Sequence, residues 1–434
     1  MLIDPFVGHP HRRRAWGEGL PVAASAPFLL FPTQFILGTL LACLLVALLW
    51  LWPLPAPGRW RWLPPTPLNG ALLLFGLMLG VSILVTADPD LTLPKAAGLL
   101  LGLTTWRYLA WVCQTERALT AAAWGFALLA LAFTAIGMVS ANWYVKVPFL
   151  AALLPSRLLA LPEADSVGVH ANQLAATILL YFPLSASLLL GQWWRNGWRG
   201  WQTLALLLAT AVSGGLLLLT QSRSGWIGGM GGLFILLALW GWALPASRRR
   251  HLLRLLLGLA LLVMLLGLAA LGPARLATLW QDPVLETAVG NLGTITFRSE
   301  VWRWGILAVS DFPFTGTGLG SFRQVIHRFY PTTIAPTYDI AHAHNIFLQV
   351  ALDVGLPGLV AYGALLLLAG YMGWQAARRS DYWRPVALGL LAGLSALHIF
   401  GLTDALALGA KPGLLFWWTL GLLTALHGQM KREA

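Results

Sequence analysis

The stretch His342-Ala-His344-Asn345-Ile-Phe-Leu-Gln349-Val-Ala-Leu-Asp353-Val-Gly355-Leu-Pro357-Gly358, continued by apolar residues to position 373, decides the fold. A loop rich in charges and aromatics ends at its first residues, and a long apolar run begins directly after them. A helix that crosses a bilayer needs about 20 mainly apolar residues. This run supplies them without the polar/apolar alternation of a barrel strand. Two histidines and an asparagine at such a boundary are costly beside lipid tails, so they mark a place where polar chemistry is retained for a reason.

The rest of the chain agrees. Of its 434 residues, 58% are hydrophobic and 10% charged, and the mean hydropathy is +0.72. A soluble domain carries roughly 25% charged residues, so this chain lacks the polar surface for a water-exposed body. The expected fold is an all-α polytopic membrane protein, with residues 1–434 forming a single transmembrane domain. The net charge of +12 does not imply nucleic acid, because the basic residues form short clusters between apolar runs: Arg12 to Arg14, Arg59 and Arg61, Arg195 and Arg199, Arg248 to Arg250, Arg378 and Arg379, Lys431 and Arg432. That is the positive-inside pattern of cytoplasmic loops, and tryptophans such as Trp193, Trp194, Trp198 and Trp201 gather near span ends. Cys43 and Cys113 fall inside apolar runs and imply neither a disulfide framework nor a metal site. The N-terminus shows no convincing cleavage site, so the first span is expected to serve as the targeting signal.

Continuous apolar runs predict spans near 34–52, 68–86, 91–113, 118–140, 169–191, 201–220, 224–244, 252–272, 345–373, 384–403 and 411–428. Placing the basic clusters inside puts the long loop 273–343 and a smaller segment, 141–168, on the extracytoplasmic side. Eleven spans would strand Arg12 to Arg14 outside. Reading 21–52, interrupted by Pro32, as two short paired helices gives about 12 spans with both ends inside. An interfacial helix over 20–33 is the alternative. The long loop holds Trp280, Trp302, Trp304, Phe312, Phe314, Phe322, Phe329 and Tyr330. It reads as a packed cap lying on the outer face, or as a sugar-stacking surface.

His344-Asn345 followed at fixed spacing by Gly355 and Gly358 resembles the signature of the O-antigen ligase and polymerase superfamily. In that family a histidine ends the large periplasmic loop and enters a membrane helix. Thr220-Gln-Ser-Arg223-Ser-Gly225, and Arg298 and Trp302 with Pro313, Gly316, Gly318, Gly320 and Phe322, resemble two further pieces of its pattern. The resemblance covers roughly residues 165–360. It implies transfer of a glycan from undecaprenyl diphosphate to an acceptor sugar hydroxyl, with no metal and no cofactor, at the periplasmic face of the inner membrane.

The residue chemistry suits that reaction. A departing diphosphate needs cationic stabilisation, and arginine holds phosphate oxygens with a fixed fork of donors. By resemblance, Arg223 and Arg298 take that role, although Arg303 could replace Arg298. The attacking hydroxyl needs a base that works near neutral pH, and His344 is the candidate. His342 reads as a supporting residue, as does Asn345. Gln349 and Asp353, spaced i, i+4, share one helix face and read as buried partners; the family usually has glutamate where Asp353 stands. Asn172 reads as a helix cap first and a donor-site residue second. Taken alone, His344 would pass for an interfacial polar residue and Arg223 for a snorkelling or capping one.

Other signals fail. Gly316-Thr-Gly318-Leu-Gly320 lacks the strand–helix setting of a nucleotide loop. Asp88-Pro-Asp90 has no partner cluster and reads as a turn, and no Ser-His-Asp or zinc spacing stands out. The expected partners are therefore an undecaprenyl-diphosphate-linked glycan, lipid A core or another glycan as acceptor, and membrane lipids. A polymerase of the same superfamily remains an alternative. So does a bicarbonate-uptake type of transporter, although the ionisable residues gather at one face rather than at the midplane of repeated halves.

Overall fold

The structure, a computed structural model, describes residues 10–140, 171–265 and 295–432, less short stretches within them such as 335–338. The segment 141–168, the first part of the long loop and most of the span expected near 252–272 lie outside the described residues. The described chain is helical apart from one short hairpin of Leu54–Ala56 (β1) and Arg59–Arg61 (β2), an addition to the all-α expectation.

Five helices run down to the break before the second described block: α1 (Pro10–Leu30), α2 (Ile36–Leu51), α3 (Asn69–Leu84), α4 (Pro89–Val112) and α5 (Glu116–Ser140). The next three are α6 (Ala171–Asn196), α7 (Trp201–Leu219) and α8 (Arg223–Ala243). Then come α9 (Ile295–Asp311), α10 (Phe322–Phe329), α11 (Ile346–Arg379), α12 (Arg384–Phe400) and α13 (Gly413–Arg432). Among the described residues, five helices are long and apolar enough to cross a membrane: α6, α7, α8, α11 and Glu116–Met138 of α5. Ile36–Leu51, Asn69–Leu84 and Arg384–Phe400 are apolar but shorter. Residues 21–30 and 36–51 fall in two helices that pack together, but α1 begins at Pro10, takes in Arg12 to Arg14, and is not among the helices apolar enough to cross.

Small residues decide which helices lie inside. Lipid tails are as apolar as leucine, so hydrophobicity cannot sort buried from lipid-facing helices, whereas backbone approach can. α12 packs along α6 and α8. A Cβ on Gly389 or Gly393 would strike the backbone of Leu184 or Leu180, and Gly228 and Gly232 of α8 meet Ala396 in the same way. By contrast α7 leaves Leu204, Leu208, Val212 and Leu218 exposed, and α2 leaves Leu37, Leu40, Leu41, Leu44 and Leu48 exposed, as lipid-facing helices do.

Two features position the site. The expected span at 345–373 is not one regular helix. α11 breaks at Val354 and Gly355 (φ 72°, ψ 175°), just before Pro357. The backbone groups released there find partners: Thr317 N–H donates to Leu352 O at 2.6 Å, Leu356 N–H to Pro313 O at 2.7 Å, and Ser82 Oγ to Asp353 O at 2.6 Å. The glycine-rich loop 313–320 is thus the collar of the broken helix. Second, α9, α10 and the chain up to Ala343 share a small core of Val301, Ala308, Phe322, Val325, Ile326, Tyr330 and Ile340 that packs onto Leu352 of α11. The described residues of that stretch thus pack together and against α11.

Candidate active site

The turn before α11 is held from every side. Asn345 is its N-cap, with Oδ1 accepting from Phe347 N–H and Leu348 N–H at 3.0 Å. Its Nδ2 donates to Leu402 O at 3.1 Å, and Ile346 N–H donates to Gly401 O at 2.7 Å, which ties the turn to the end of α12. Trp302 Nε1 donates to Ala343 O at 3.0 Å, and Ala343 N–H donates to Gln349 Oε1 at 2.7 Å. Between these restraints His344 adopts φ 50°, a left-handed conformation uncommon for a residue with a Cβ. Strain of this kind persists where neighbours over-determine it, often at working sites.

Facing the two histidines is Asp404, in the segment after α12. Its Oδ2 accepts from Asn172 Nδ2 at 2.6 Å and its Oδ1 from Ala405 N–H at 2.8 Å. Oδ1 also lies 3.6 Å from His342 Nε2 and 3.6 Å from His344 Nδ1. These separations are too long for hydrogen bonds but within ion-pair range. Burial alone would raise the Asp404 carboxyl, yet the contact with His344 and the charges of His342 and Arg298 outweigh it. They hold the group below the ordinary carboxylate range. Phe297 meets His344 edge-on at 5.7 Å between ring centres.

The arginines separate. Arg298 is buried, acts electrostatically on Asp404, and among the described residues its Nε has no hydrogen-bond partner. Arg303, on another side of α9, is exposed and stacks over Trp304 at 5.0 Å. Arg298, unlike Arg303, is thus buried and acts on the carboxylate that faces the histidines. Arg223 opens α8, where Ser222 Oγ caps the helix by accepting from Gly225 N–H at 3.1 Å. Ser224 Oγ lies 2.8 Å from Thr403 Oγ1, which brings the start of α8 beside the Asp404 segment.

Several expectations change here. Asn172 lies within the first turn of α6, and its Nδ2 donates to Asp404 Oδ2. Gln349 and Asp353 do meet, with Gln349 Nε2 donating to Asp353 Oδ1 at 2.8 Å, and both are buried. Asp404 belongs to no motif in the sequence. Its only signal was a lone carboxylate at the end of an apolar run, opposite His344 in the fold but distant in sequence. With it, a His–Asp arrangement exists that no local spacing announced. The nitrogens and oxygen of His342, His344 and Asp404 all fall within 4.8 Å of one another, so this trio could hold a metal ion. The nearby Arg298 guanidinium would compete with a cation there.

Residues 208–363 match the family model described as O-antigen ligase, which supports membership of the O-antigen ligase/polymerase superfamily. The matched region contains Arg223, Arg298 and His344; Asn172 and Asp404 lie beyond it. No curated protein matches the chain. The family points to a glycosyltransferase-like enzyme acting with a lipid-linked glycan and a glycan acceptor.

Proposed function

We propose, with superfamily membership as the premise, that this protein transfers a glycan from undecaprenyl diphosphate to an acceptor hydroxyl at the periplasmic face of the inner membrane. The supporting observation is the convergence of His344, Asp404 and Arg298 at one end of the helical bundle. The opposite ends of α6, α11 and α13 carry Arg195, Arg378, Arg379, Lys431 and Arg432, as cytoplasmic ends do.

The proposed mechanism is metal-independent. Asp404 faces Nδ1 of His344, favouring the tautomer with the proton on that nitrogen and leaving Nε2 as the base. The 3.6 Å separation would tighten on substrate binding, as catalytic hydrogen bonds commonly do. Nε2 removes the acceptor proton, the hydroxyl oxygen forms a bond to the anomeric carbon, and the sugar–phosphate bond breaks with its electron pair passing to the diphosphate. Attack opposite the leaving group inverts the anomeric centre. Arg298 and Arg223 stabilise the departing diphosphate.

The test is transfer by the purified protein from a lipid-diphosphate glycan to lipid A core or to a second lipid-linked glycan, with product anomeric configuration read by NMR. His344→Ala should reduce kcat by about 10²- to 10⁴-fold; undiminished turnover removes the base assignment. Product on core alone identifies a ligase, and product on lipid-linked glycan a polymerase. Bicarbonate uptake into proteoliposomes lacking any glycan donor would favour transport instead.

A further inference from the structure

We propose that Lys95 is a positioning residue for His344, acting through a buried relay of Lys95, Asp353 and Gln349 to the peptide unit of Ala343; this rests on His344 being the base. Asp353 is buried, and its Oδ1 accepts from Gln349 Nε2 at 2.8 Å and from Gly320 N–H at 2.8 Å. A carboxylate only accepts and a backbone N–H only donates. Gln349 therefore has one workable orientation, NH2 toward Asp353 and Oε1 toward Ala343 N–H, which it meets at 2.7 Å. Flipping the amide would oppose two acceptors at one end and two donors at the other. The N–H so pinned is that of Ala343, the residue before His344 with its left-handed backbone.

A buried carboxylate is costly unless compensated. Lys95 is its principal charged neighbour, reaching in from α4. The fit is tight: a Cβ on Gly320 would collide with Lys95 Nζ, so the glycine that donates to Asp353 also leaves room for the ammonium. The backbone of Lys95 abuts Gly409, in the segment that carries Asp404. A cavity of about 20 Å³ lies among Lys95, Gln349, Asp353 and residues 406–409. Lys95 thus lies between the collar loop, the relay and the Asp404 segment.

The experiment uses the full-length purified protein and peptide-resolved carbethoxylation of histidines, a readout that needs no glycan transfer. In Lys95→Met, the His344 rate should rise about threefold or more as its turn opens locally, with His251 and His327 unchanged. With lipid-linked donor, kcat should fall about 10- to 100-fold at nearly constant donor KM, the scale of a small misplacement. Lys95→Arg should restore most of both. The double variant Lys95→Met/Asp353→Asn leaves no uncompensated charge; it should fold and be no worse than Lys95→Met, because coupled residues are non-additive. Unchanged His344 labelling in both variants, or additive losses in the double variant, overturns the proposal. If the parent protein labels as expected yet transfers no glycan, the functional reading fails while the relay stands.

Discussion

His344 carries a left-handed backbone at φ 50°, a cost of about 1–3 kcal/mol that its neighbours must sustain. Replacing it with glycine removes that strain along with the imidazole. His344→Gly is therefore expected to lose transfer activity while melting no lower than the parent, a combination that thermal unfolding and the transfer assay would reveal. Asp404 makes a pH prediction. Its folded-state value is depressed, so its ionised form adds stability above the unfolded carboxyl value of about 3.9. That stability is lost as pH falls through the folded value. The Tm difference between Asp404→Asn and parent should narrow as pH falls below about 4. A difference that instead grows below that pH would contradict the assignment. At this scale the histidine and two arginines stand out as candidates because motif and boundary coincide in sequence. Asp404 was not, since what makes it important is contact with residues on other helices.

Among the elements, α11 is the most informative. Its apolar composition predicts one continuous helix, and the break at Gly355 is visible only in three dimensions. A Cβ at Gly355 would strike Phe314 O, and its φ of 72° with ψ near 175° is a conformation for glycine alone. Gly355→Ala should destabilise the protein by about 1–3 kcal/mol, read as a lower melting temperature. Ser82→Ala, which removes a single buried hydrogen bond to Asp353 O, should cost only about 1 kcal/mol. Equal melting temperatures for Gly355→Ala and parent would mean the break relaxes. The Gly316-Thr-Gly318-Leu-Gly320 loop shows the same limit: its glycines looked like a failed nucleotide motif, and they instead let a backbone fit against the broken helix. Gly316 (φ 66°) cannot carry a Cβ without striking Leu352 O.

For the whole molecule, the proposed orientation is directly measurable. Arg303 is exposed on the cap and Arg379 ends α11 at the far end. In intact cells, Arg303→Cys should react with a membrane-impermeant maleimide and Arg379→Cys should not. Background labelling stays low because Cys113 is buried and Cys43 partly so. Labelling of Arg379→Cys alone would invert the proposed topology. Composition and periodicity by themselves determined that this is a helical membrane protein, and where most of its helices begin and end. Each span must be apolar along its own length, and that is a local property of the chain. The histidine motif likewise marked one boundary as the candidate site. Only the tertiary structure decided which helices lie inside, that α11 is broken and collared, and that Asp404, bonded by Asn172, faces the histidines. In a bilayer every helix is apolar all round, so its pattern does not say which face is buried. Packing of small residues and the pairing of a few buried polar groups decide that, and those pairings join residues far apart in the chain.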